Sequence, residues 1–187
     1  MDGLLLRLLD DKRGSPGQWF WPCFGPLRSA FDRHFWIFPN QPWMGAPLAF
    51  DHERESADYE GMGETSVCLW RPGAVGRWAD QFCEEHIELW ATSPADDPAR
   101  LASEFRRTFW GREDTFIEKH AEVLLIYSDS TCWEIFAKQA SLLEPVRDHL
   151  HGNAAVRVYD NNSADRGRAY AKGGVAAVWR AMHGQAN

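Results

Sequence analysis

The stretch 122–137, EVLLIYSDSTCWEIFA, limits the choice of fold more than any other part of the chain. Val123–Tyr127 is a short run rich in β-formers. Ser128-Asp129-Ser130 is turn-forming, and Cys132–Phe136 is again mostly apolar, with Trp133, Ile135 and Phe136. Two such runs joined by a short polar turn predict a β-hairpin, and a hairpin must find further strands or helices to bury its apolar face. Around it, His34–Phe38 (HFWIF) reads as a buried strand ended by Pro39, Thr65–Trp70 (TSVCLW) as a strand stopped by Arg71-Pro72-Gly73, and Ala155–Tyr159 (AVRVY) as another strand.

Helical patterns lie between the strands. Ala74–Trp90 carries an approximate apolar stripe (Val75, Trp78, Phe82, Ile87, Leu89) opposite Asp80, Glu84, Glu85 and Glu88, and predicts one helix. Asp97-Pro98 is an N-cap followed by a first-turn proline, opening a second helix to about Phe109 with Leu101, Ala102, Phe105 and Phe109 on one face. Ser141–Leu150 predicts a short helix that tolerates Pro145 near its first turn and ends at Gly152-Asn153, and the tail from Gly174 to about Met182 predicts a last one. Strands and helices mix without regular βαβ alternation. The expected class is therefore α+β, a single domain over 1–187 with a mainly antiparallel sheet and several packed helices. Within it, residues 14–64 are dense in Pro, Gly and aromatics and read as irregular, without long helices, whereas 65–187 reads as regular α+β.

The charge is uneven. Net charge is −7 over 187 residues, yet 51–64 (DHERESADYEGMGE) alone sets six carboxylates, Asp51, Glu53, Glu55, Asp58, Glu60 and Glu64, against the single Arg54. A net-negative chain is a poor match for nucleic acid or an anionic membrane, both of which call for clustered Lys and Arg. A local negative field attracts a basic partner. The acidic run adjoins aromatics (Phe35, Trp36, Phe38, Trp43, Phe50), and acid beside aromatic is the composition of a surface that steers by charge and anchors with rings. Ten tryptophans stand in the chain; each by itself reads first as core, with Trp36 and Trp43 the expected anchors. The N-terminal MDGLLLRLLDDKR lacks the basic leader, the long apolar run and the small-residue site of a signal peptide, and no apolar run reaches transmembrane length, so the expected location is cytoplasmic. Cys23, Cys68, Cys83 and Cys132 form no C-x-x-C pair and read as reduced thiols.

No motif specifies a reaction. Cys83 and His86 would share a helical face but lack the further ligands zinc needs; His149 and His151 diverge at a helix end. A nucleophile reading would use Cys132 with His149 or His120 as base and Asp129 as orienter, yet Glu134 beside it works against a thiolate. Paired carboxylates for glycoside hydrolysis could be drawn from any acidic run. Gly173-Gly174 does not belong to a phosphate loop, and G-x-S-x-G and H-E-x-x-H are missing. No catalytic residue, metal ligand or cofactor is assigned.

In size, acidity, abundance of Trp and lack of a catalytic motif, the chain resembles the small immunity proteins that bacteria make against their own polymorphic or contact-delivered toxins. The resemblance implies a non-catalytic module that occludes the active site of a basic toxin domain. The acids of 51–64 would mimic a polyanionic substrate, Trp43 or Trp36 would fill a pocket, and charge reversal at Asp58 and Glu60 would slow association. The alternatives are a small hydrolase-like enzyme of unknown substrate, a small-molecule-binding protein with a Trp-lined cavity, and a component of a larger assembly.

Overall fold

In the computed structural model, residues 1–9, 14–39, 48–59, 68–108, 113–128 and 131–160 are described. In chain order they form β1 (Asp2–Leu8), α1 (Pro16–Phe24), a 3₁₀ turn (Gly25–Leu27), α2 (Arg28–Phe31), β2 (Phe35–Phe38), α3 (His52–Glu55), β3 (Ser56–Tyr59) and β4 (Cys68–Trp70). There follow α4 (Ala74–Trp78), a 3₁₀ turn (Ala79–Gln81), β5 (Ile87–Thr92), α5 (Pro98–Thr108), α6 (Glu113–His120), β6 (Ala121–Ser128) and β7 (Cys132–Ala137). A 3₁₀ turn (Ala140–Leu142), α7 (Glu144–Leu150) and β8 (Val156–Asp160) complete the set. The strands make one eight-stranded sheet in the order β3-β4-β2-β5-β6-β7-β1-β8, and each adjacent pair is antiparallel. The fold is α+β, as the sequence predicts.

Side-chain alternation divides the core into two layers. On the first face, Leu4, Leu6 and Leu8 of β1, Trp36 and Phe38 of β2, Val123, Leu125 and Tyr127 of β6 and Trp133 and Ile135 of β7 meet Phe20 and Phe24 of α1, Phe31 of α2, Val75 of α4 and Val146 and Leu150 of α7. On the second face, Ile37, Leu69, Trp90, Leu124, Ile126 and Phe136 meet Leu101 and Phe105 of α5 and Phe116 and Ile117 of α6. Aromatic rings fill much of the first layer. Phe20 lies edge-on to Trp133 (5.3 Å), Phe82 (5.6 Å) and Phe24 (5.2 Å), while Phe38 and Trp70 approach to 4.2 Å. Trp36, Trp70, Trp90 and Trp133 are fully buried, so these four rings are core rather than surface.

The hairpin appears as β6 and β7, pairing Val123 with Ala137 through Ser128 with Cys132. HFWIF supplies β2, CLW supplies β4, Asp97 Oδ1 accepts from the amide of Ala99 at the start of α5, and Gly152 takes a left-handed φ of 75° just beyond α7. The predicted tail helix lies outside the described residues. Two elements differ from the sequence pattern. Ala74–Trp90 is not one helix: it is the five residues of α4, a 3₁₀ turn, an irregular link and then the start of β5. All six residues of β5 are buried, with Ile87, Leu89 and Ala91 in the first layer and Trp90 in the second. A strand covered on both faces loses its polar alternation, and its apolar residues can then fit a helical stripe by chance. The leucine run near the N-terminus, not anticipated as a strand, is β1, placed between β7 and β8.

The aromatic segment that begins at residue 14 is also more regular than its prolines imply. Pro16 opens α1 in its first turn, where a missing N–H costs little. Gly17 lets α1 press onto the 79–81 turn: its amide donates to the Phe82 carbonyl at 3.0 Å, and a Cβ there would collide with the Asp80 backbone. Gly25 has a right-handed helical φ of −48° directly before Pro26, a conformation that a Cβ would disfavour. Gly17→Ala is expected to destabilise by about 1–3 kcal/mol through overpacking. Urea unfolding of the variant against the wild type checks the loss.

Candidate functional site

The acidic segment is fixed to one edge of the sheet. Phe50 enters first: it is buried and packs against Trp70 and Trp78, each at 5.1 Å between ring centres. Asp51 then caps the single turn of α3, its Oδ1 accepting from the amides of Glu53 (3.1 Å) and Arg54 (3.2 Å). At the other end of that turn the Glu55 carbonyl accepts from the Arg71 amide at 2.7 Å. The chain continues into β3, which pairs with β4 through a register shift between Ser56 and Asp58, and Ser56 Oγ lies 3.2 Å from Cys68 Sγ. Among the described residues, β3 has no strand on its other side.

Glu55 holds this arrangement together. Its side chain is 2% exposed and receives Arg77 of α4 in a fork, Nε at 3.2 Å from both oxygens and Nη2 at 2.5 Å from Oε2. Arg54 Nε stands behind at 3.7 Å. Burial alone would raise the Glu55 carboxyl pKa, but the Arg77 hydrogen bonds and charge, with that of Arg54, outweigh it and hold the carboxyl below its usual value of 4.5. Arg54 and Arg77 are thus both turned toward Glu55. Asp51 and Glu53 stay exposed, and among the described residues neither forms an ion pair.

Of the eight residues expected at a partner surface, Asp51 and Glu53 stand on the surface next to the β3 edge. Two are corrected by their positions. Trp36 is fully buried, its ring 5.0 Å from Phe31 and its Nε1 donating to the Phe31 carbonyl at 3.0 Å, so it has no face to offer a partner. Its position in the β2 alternation, flanked by Ile37, turns it into the first layer. Glu55 serves the fold for the reasons just given. Asp58 lies on β3, but its side chain is outside the description, as are Trp43, Glu60 and Glu64 altogether.

The other chemical candidates are kept apart. Cys132 alternates with Trp133 and so faces the second side of the sheet, whereas His149 belongs to α7 on the first side and sits 3.0 Å from the Pro22 carbonyl. His120 is buried at the junction of α6 and β6, with Nε2 3.2 Å from Glu104 and Nδ1 3.8 Å from Asp96. Lys119 also binds Glu104 at 2.5 Å, and this bond leads the interactions that lower the Glu104 pKa. Together these residues tie α5 to α6. Cys83 is exposed in the irregular link before β5, not on a helix with His86. Among the described residues, no group of three or more His, Cys, Asp or Glu is placed to hold a metal ion.

Sequence reasoning passed over two buried acids. Glu88 of β5 and Glu134 of β7 flank Ile126 of β6 in one row across the second face, 8% and 0% exposed. Glu88 accepts from Trp90 Nε1 at 2.6 Å. The signal was available: each is a lone acid inside an otherwise apolar strand, IELWAT and CWEIFA. No family model, curated protein or solved structure matches the chain.

The Glu55–Arg77 pair gives a pH test. Because the folded-state carboxyl pKa is lowered, the stabilisation is present above about 4.5 and is lost as pH falls through the folded-state value. Arg77 is 44% exposed, so solvent screens part of the interaction. Glu55→Gln is expected to cost about 1–2 kcal/mol at pH 7, and the difference from wild type should shrink toward zero in strongly acidic buffer. Urea unfolding across pH measures both.

Proposed function

We propose that this protein is a non-catalytic binding module that captures a basic protein partner at the β3 edge of its sheet. One observation supports the reading: Asp51 and Glu53 stand exposed beside that edge and, among the described residues, form no ion pair, while Arg54 and Arg77 approach Glu55 instead. Fixed, uncompensated charge at a rigid position steers a basic partner and raises its association rate. The partner in this reading is a basic toxin domain, and the module serves as the cognate immunity protein of a bacterial cell. The hydrolase-like alternative has less support, since Cys132 and His149 lie on opposite sides of the sheet.

Affinity capture of the tagged protein from its own cells, at low and high salt, tests the reading. One basic partner at near-equal stoichiometry, released as salt rises, is the expected result. Asp51→Asn with Glu53→Gln removes both charges while keeping a capping residue at 51. This double variant should bind that partner with an association rate lowered about tenfold and a dissociation rate nearly unchanged. An affinity indifferent to salt and to both substitutions would sink the proposal.

A further inference from the structure

Far from β3, at the opposite end of the sheet, a second charged feature points the other way. Register pairing aligns Ser128 of β6, Cys132 of β7, Arg7 of β1 and Arg157 of β8 in one row across the second face. Exposure grows along the row, from buried Ser128 through half-buried Cys132 to the two exposed arginines. Arg7 and Arg157 are direct cross-strand partners, and like charges placed directly opposite one another destabilise a sheet. Among the described residues neither guanidinium has a hydrogen bond or an ion pair. Glu134, the acid of the adjacent row, is fully buried and engaged by a partner of its own.

Edge protection explains only half of this. A charged side chain on an outer strand discourages edge-to-edge aggregation, which accounts for Arg157 on β8. Arg7 lies on β1, which is bonded to β7 on one side and to β8 on the other, so it protects no edge. The two arginines, with Tyr159 at 43% exposure, line a cleft of about 210 Å³ that also touches Leu8 and Leu9. That volume is below the usual range for a drug-sized ligand, about 300–1,000 Å³. It suits a small anionic group held by two planar forks.

We propose that Arg7 and Arg157 form a binding site for an oxyanion, the phosphate or carboxylate group of a small ligand, with Tyr159 at its wall. The site stands apart from the β3 edge and does not depend on the partner reading. The test uses the full chain, with inorganic phosphate and succinate as probes and sodium chloride at matched ionic strength as reference. The readouts are the arginine Nε–H signals of Arg7 and Arg157 in ¹H–¹⁵N NMR and a calorimetric Kd. A saturable shift of both signals with phosphate assigns a phosphate ligand, and one with succinate assigns a carboxylate. Arg7→Gln or Arg157→Gln should weaken the responding probe about tenfold or more. If Arg7→Gln does not fold, Arg157→Gln at the exposed edge gives the answer alone. Absence of saturation with either probe, an equal response to chloride, or a Kd unchanged in Arg157→Gln would overturn the site.

Discussion

Burial of a central antiparallel sheet on both faces is the constraint from which the rest of the structure follows. β5 and β6 have almost no wet surface: Ile87, Leu89, Val123 and Leu125 press into one layer, and Trp90, Leu124 and Ile126 into the other. Two covered faces require helices on both sides, which α1, α4 and α7 supply on one and α5 and α6 on the other. They also require bulk. The rings of Phe20, Phe24, Phe82 and Trp133 meet edge-on and fill the first layer at separations of about 5–6 Å. The abundance of Trp is explained for Trp36, Trp70, Trp90 and Trp133 by that need to fill space between sheet and helices.

What remains for function is pushed to the two ends of the sheet. At the β3 end, a single buried carboxylate organises the local ion pairs. Glu55 pairs with Arg77 and faces Arg54, and the short α3 turn capped by Asp51 sits beside an outer strand. At the β8 end, Arg7 and Arg157 are opposed in register and exposed. The interior strands between them are occupied with packing, so the Asp51–Glu53 turn and the Arg7–Arg157 pair stand at opposite ends of one sheet.

Local pattern revealed those elements whose sequence carries its own punctuation. The hairpin of β6 and β7 has a polar turn between two β-rich runs, α5 has Asp97-Pro98, and α7 has Pro145 at its start and Gly152 after its end. The failures fell where tertiary burial removes the pattern. IELWAT is covered on both faces, so its polarity does not alternate and it was absorbed into a helical stripe. In β1, Leu5 and Leu9 blur the alternation of Leu4, Leu6 and Leu8 with Arg7. At the candidate site, composition located the acidic segment but could not tell exposed acids from buried ones. Asp51 and Glu55 look alike in sequence; they differ because Arg77, 22 residues further on, reaches only the second. The Arg7–Arg157 pair was invisible for the same reason, since only the strand order brings those two residues together.

The central claim is that the partner docks at the β3 edge. Hydrogen–deuterium exchange of the protein, alone and saturated with its captured partner, addresses it most directly. The account predicts slowed exchange of amides within 51–59 on binding, while the already protected amides of β6 do not change. Slowing confined to α7 and β8, with 51–59 exchanging as in the free protein, would contradict it.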